Sequence, residues 1–220
     1  MLTKKEQRII DIFRKQLSGS FTINEISRII KTTSYSWTFN TVKKLAKKGI
    51  LKLETKGHSK IARIDLESAL AIKYLSLLDE LEACEREIPN IDEIFRMIGT
   101  PYFTLIIAGS YAKGTQAKKS DLDIVVITDS DTTSIHNTLK NKGELMIPQM
   151  HPYVFTQKEY IAMLLSKEEN YGKLIYKNRL IYFGAQNYYL IINEAKKHGF
   201  TYPSFTANAQ KTNSGLQKPC

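Results

Sequence analysis

Two aspartates, Asp121 and Asp123, stand one residue apart at the head of an apolar run, residues 124–127. Side chains alternate across a strand, so both carboxylates project from one face. Like charges held that close are costly unless a cation neutralises them. A hard divalent ion, Mg²⁺ or Mn²⁺, takes carboxylate oxygens of this kind and commonly substrate phosphates with them. Upstream, Gly109 permits close backbone approach and Ser110 supplies a hydroxyl and an N–H. Such a pair can grip a phosphate where a strand runs into a helix. The elements required to position these groups follow from the pattern: an apolar strand over 102–108, a Gly-Ser turn, a short basic polar segment, and a second apolar strand headed by the aspartates.

Between Ser110 and Asp121 lie ten residues, 111–120. Gly-Ser, ten residues and Asp-x-Asp, with strands on both sides, resembles the signature of the nucleotidyltransferase superfamily that includes DNA polymerase beta, and within it the minimal nucleotidyltransferases. The resemblance extends over about residues 93–197. It implies a Mg²⁺- or Mn²⁺-dependent transfer of a nucleoside monophosphate, AMP from ATP, to a hydroxyl acceptor. Asp121 and Asp123 would be catalytic and metal-binding, and Gly109 and Ser110 would hold the nucleotide. Lys113 and Lys119 are placed to steady a triphosphate.

The superfamily usually carries a third carboxylate on the next strand. Residues 144–156 read as that strand, and its middle is occupied by Gln149, His151 or Tyr153; Glu144, at the early end, is its one acid. His151 is the candidate general base at neutral pH, with a half-buried strand histidine as the alternative reading. Asp129 and Asp131 lie past the apolar run and read as helix-capping residues.

The net charge of +10 over 220 residues is unevenly placed. Residues 1–66 carry 15 Lys and Arg against 5 Asp and Glu, whereas residues 67–220 carry 17 of each. A basic module that meets a polyanion is therefore joined to a neutral one. Two distant cysteines, Cys84 and Cys220, imply neither a disulfide framework nor a metal site and suit a cytoplasmic protein. No apolar run approaches the length of a membrane span, so no membrane partner is expected.

Within the basic third, apolar residues at helical spacing predict helices from about Thr3, over 24–31 with Ile26, Ile29 and Ile30 buried, and over 36–48 closed by Gly49. Two alternating runs around Lys-Gly-His-Ser then predict a hairpin over 50–64. Three helices and a hairpin resemble the winged helix-turn-helix fold, which implies double-stranded DNA as a partner. In that fold the third helix enters the major groove and the wing meets the backbone. Tyr35, Ser36, Thr38 and Asn40 would then lie at the base-reading end. Lys43, Lys44, Lys47 and Lys48 would serve phosphates, with Lys56, Lys60 and Arg63 on the wing.

The expected organisation is α+β: a winged helix at 1–66, a helical linker at 67–90, a nucleotidyltransferase-type mixed sheet flanked by helices at 91–198, and a mobile tail at 199–220. Pro89 separates the linker helix, a candidate homodimer surface, from the first helix of the sheet domain. Residues 174–182 and 185–197 read as an aromatic-rich amphipathic stretch whose tyrosines are core or interface. Two other functions fit the same residues. One is a DNA-binding regulator whose nucleotidyltransferase-like domain only binds nucleotide. The other is a toxin–antitoxin component that adenylylates a small helical partner protein.

Overall fold

A computed structural model of the chain describes residues 2–202. Cys220 and the expected tail beyond Tyr202 lie outside them. The described chain falls into two compact units, one over residues 2–71 and one over Ile72–Phe200.

In the first unit, α1 (Lys4–Lys15) starts at a reciprocal cap. The Glu6 N–H donates to Thr3 Oγ1 at 3.2 Å and the Thr3 N–H to Glu6 Oε2 at 2.7 Å, satisfying two amides the helix leaves open. Thr22 and Glu25 repeat the device at α2 (Ile23–Ile29), after the short β1 (Phe21–Thr22). Ser34 caps α3 (Tyr35–Lys47). A hairpin follows, β2 (Leu51–Lys56) and β3 (Ser59–Ile64), and the antiparallel sheet order is β1-β3-β2. Ile9, Ile10, Phe13, Ile26, Val42, Leu45 and Ile50 form the core. Ile29, expected inside, is 44% exposed. The buried stripe of α2 instead runs through Ile23, Ile26, Ser27 and Ile30, which leaves Ile29 on the other side of the helix.

The second unit is a four-stranded mixed sheet of order β6-β5-β4-β7. Its strands are β4 (Thr104–Ile107), β5 (Leu122–Ile127), β6 (Met150–Phe155) and β7 (Leu180–Phe183), with β5 and β6 parallel and the other pairs antiparallel. Leu105, Ile107, Leu122, Ile124 and Val126 cluster with Ile94 and Ile98 of the α5 region (α5, Ile91–Met97) and with Ile135 and Leu139 of α7 (Thr132–Gly143). Asp131 caps α7, and Asp129 accepts the Gln157 N–H, so both acids are structural. The opposite face bears Ile106, Val125 and Ile127. There Tyr171, which opens α9 (Tyr171–Lys177), lies on Tyr153 and Phe155. Two further helices, α8 (Gln157–Leu165) and α10 (Ala185–Lys197), pack on each other.

Three expectations change. Residues 144–149 are not strand: Glu144 caps the end of α7 and β6 begins only at Met150, after Pro148, which has no N–H for a ladder. Residues 180–183 form β7, an all-apolar edge strand that carries no alternation to announce it. The segment expected as a helical linker holds the helix α4 (Ala69–Cys84), and within the second unit its Asp79 accepts from the Tyr189 hydroxyl while Glu80 Oε1 accepts from the Ala185 N–H at 3.0 Å. Leu77 and Leu81 remain exposed on it. Phe200, two residues into the expected tail, is buried edge-on against Tyr176. Among the described residues no helix is long and apolar enough to cross a membrane.

Candidate functional site

The strand β4 runs into a short helix, α6 (Gly109–Lys113). The Ala108 N–H donates to the Asp123 carbonyl at 2.9 Å, which ties this turn to the head of β5. Gly109 sits at φ +60°, and a Cβ there would stand 2.0 Å from Asp123 Oδ2. Only glycine fits both the backbone and the neighbour. The Asp123 side chain is 28% exposed, and Asp121 is exposed beside it. Burial raises the Asp123 carboxyl above its usual range; His151 opposes that shift and the Asp121 charge adds to it.

His151 is the direct partner of Asp123 in the parallel register, with its Nδ1 4.0 Å from Asp123 Oδ1, beyond hydrogen-bond length. Its side chain is 45% exposed. Of the three residues considered for the middle of this strand, His151 alone stands opposite the Asp pair. Gln149 precedes β6, its carbonyl accepting from the Leu122 N–H, and Tyr153 pairs with Val125. With Glu144 removed to the end of α7, β6 holds no carboxylate.

The intervening segment turns through Gly114 and Ser120; the Thr115 N–H donates to the Ser110 carbonyl at 3.0 Å and the Ala117 N–H to Ser120 Oγ at 2.9 Å. Ser110 is half-buried, whereas Lys113 and Lys119 are exposed. Sequence reasoning missed Arg86, whose Nη1 lies 2.8 Å from where a Gly114 Cβ would stand. That approach, across 28 positions of chain, carries no local signal.

Among the described residues no group of three or more His, Cys, Asp or Glu is arranged to hold a metal ion. The donor set still fits a hard divalent ion. Two adjacent carboxylates, one of them raised by burial, are short of positive charge, and such ions complete their shell with water and phosphate oxygens.

In the first unit, Tyr35, Ser36 and Asn40 are exposed at the start of α3, with Tyr35 stacked on Phe39 at 6.3 Å. Thr38 is a correction. It is wholly buried, its hydroxyl taken up by Ser27 Oγ at 2.8 Å and the Ser34 carbonyl, because it faces α2 instead of solvent. Lys43, Lys47, Lys48 and Lys56 are exposed. Lys44 pairs with Glu6 at 2.9 Å, and Arg63 pairs with Glu54, so both cations are already partly neutralised. Lys60 lies 5.8 Å over the Phe39 ring. Lys5, Arg8 and Lys31, absent from the expected set, gather with Trp37 around a cavity of about 160 Å³, Lys5 standing 5.4 Å over the indole.

Residues 88–183 match the family described as a nucleotidyltransferase domain, which supports the nucleotidyltransferase superfamily for this part of the chain. The match spans β4, the Gly-Ser turn, the aspartates and β7. No curated protein and no solved structure matches the chain.

Proposed function

We propose that the protein is a Mg²⁺-dependent nucleotidyltransferase that moves AMP from ATP to a hydroxyl acceptor, and that its basic first unit is a winged helix that binds duplex DNA. The observation that carries the reading is the Asp121–Asp123 pair, with Asp123 lodged against the bare backbone of Gly109, inside a segment that matches nucleotidyltransferase domains. Asp121 and Asp123 would hold the divalent ion, which when bound neutralises phosphate charge and orients the attacking and leaving oxygens. Gly109 and Ser110 receive the phosphates, and Lys113 and Lys119 screen the triphosphate. His151, opposite Asp123, takes the acceptor's proton as the acceptor oxygen bonds to the α-phosphorus and pyrophosphate leaves. In the first unit, Lys43, Lys47 and Lys48 lie on phosphates, with Tyr35, Ser36 and Asn40 toward the bases.

The test is incubation with α-labelled ATP, Mg²⁺ and cell extract, followed by fractionation into protein, nucleic acid and small molecules. Label retained in one fraction, and lost with Asp121→Asn plus Asp123→Asn, is the expected result. His151→Ala should cut transfer about a hundredfold.

A second reading has an observation of its own: β6 has no carboxylate, and a histidine stands opposite Asp123. On that reading the second unit binds Mg²⁺–ATP without turning it over and regulates DNA binding. Tight Mg²⁺–ATP binding with no labelled fraction selects it.

A further inference from the structure

Among the described residues nothing hydrogen-bonds to the Tyr171 hydroxyl. Its position is firmly set. The preceding residue, Asn170, accepts the Lys173 N–H at 3.1 Å and donates to the Met163 carbonyl at 2.7 Å. Lys173, only 8% exposed, extends its ammonium to the carbonyls of Ser166 at 2.6 Å and Glu168 at 2.9 Å. Gly172 lies so close to Met163 that a Cβ would stand 2.7 Å from it. The ring is held against Tyr153, with centroids 4.5 Å apart, and against Phe155 at 6.5 Å. Yet Tyr171 Oη is buried without a hydrogen-bond partner among the described residues. A buried hydroxyl left so costs about 1–3 kcal/mol, and phenylalanine would make the same ring contacts without that cost.

Tyr153 and Phe155 share their sheet face with Asp123 and His151, by the alternation of β5 and β6. Two residues along a strand is about 7 Å, a distance that a tyrosine side chain spans. The Asp123 charge reaches the phenol: burial first, then Asp123 and Tyr153, hold it well above its usual range. The group is thus a proton-bearing donor on the Asp123 face of the sheet that has no acceptor among the described residues.

We propose that Tyr171 Oη donates a hydrogen bond to a phosphate oxygen of the nucleotide seated at Asp121 and Asp123. The inference rests on the nucleotide-binding reading of that site and adds a contact from the far side of the sheet domain's sequence. It makes Tyr171 a ligand-binding residue whose hydroxyl disfavours the empty fold and favours the filled one.

The test compares the full-length protein with Tyr171→Phe and with Asp121→Asn plus Asp123→Asn. Binding of Mg²⁺–ATP and of Mg²⁺–tripolyphosphate is measured by calorimetry, and melting is followed with and without each ligand. The expected result for Tyr171→Phe is a ligand-free melting temperature equal to or above wild type, together with a tenfold to hundredfold weaker affinity for both ligands. Ligand-induced stabilisation should shrink to match. Unchanged affinity in Tyr171→Phe, with wild type binding and the aspartate variant not, overturns this inference alone. A ligand-free melt several degrees below wild type overturns it too, since the hydroxyl is then bonded within the empty fold. Wild type that binds neither ligand overturns the inference and the nucleotide-binding reading together.

Discussion

The two units use charge in opposite ways. The first spreads its excess over many lysines and arginines on α1, α3 and the hairpin, and some of these are spent within the unit: Lys44 on Glu6, Arg63 on Glu54, Lys52 on Asp65 and Glu67. The second is close to neutral but concentrates two carboxylates at one strand head and seats one of them against a glycine. Distributed charge acts through the number of contacts, so each residue counts for little and salt counts for much. Concentrated charge acts through position, so one or two atoms decide the outcome.

The sharpest way to break this contrast is at the strand head. Asp121→Asn with Asp123→Asn should remove Mg²⁺-dependent nucleotide binding below calorimetric detection, while the melting temperature holds or rises as the like charges are relieved. Persisting affinity would mean that the carboxylates are not the site. The matching measurement on the first unit is a salt series with duplex DNA. If about six phosphates are neutralised, affinity should fall roughly a thousandfold from 50 to 200 mM salt. Replacing Lys43, Lys47 and Lys48 together by Ala should lower the logarithmic salt slope by about 3 and leave Mg²⁺–ATP affinity as it was. A flat salt response would dissolve the contrast from the other side.

A smaller effect is expected where backbone and charge meet. Gly109→Ala forces a Cβ onto Asp123 Oδ2 at a left-handed φ, and should weaken Mg²⁺–ATP binding about tenfold to a hundredfold while destabilising the fold by about 1–2 kcal/mol. Calorimetry and melting on the same preparation check both numbers. The smallest effect concerns Glu6. The Thr3 backbone N–H, and then Lys44, hold its carboxyl down at about 2 against an ordinary 4.5, although burial works the other way. The stability this contributes should be complete above pH 4.5 and drain away as pH falls from there toward 2. Glu6→Gln should cost about 1 kcal/mol at pH 7, and the gap between variant and wild type should close in acid melts.

What the sequence disclosed divides along similar lines. Gly109, Ser110, Asp121 and Asp123 were legible because a strand, a turn and a strand fix their geometry from spacing alone. The helices of the first unit were legible for the same reason: apolar residues at helical spacing after Thr3 and up to Gly49 are local patterns. Thr38 misled because a threonine at the start of α3 looks solvent-facing until the packing angle of α2 is known. The edge strand β7 was hidden by its uniform apolarity. Tyr171 meets Tyr153 and Phe155, and Arg86 approaches Gly114, through tertiary folding, and no periodicity marks either contact.

The contact between Gly109 and Asp123 also bears on how this chain can change by mutation. A side chain at 109 and a carboxylate at 123 compete for one volume, so the two positions are not free to vary independently. In a background where Asp123 is already Gly, Gly109→Ala should lose its steric penalty and keep only the cost of its backbone angle, a departure from additivity that a double-mutant cycle would read directly. A lineage that gave up the carboxylate would soon be released to accept other residues at 109, whereas one that kept it would be held to glycine for as long as the carboxylate remained.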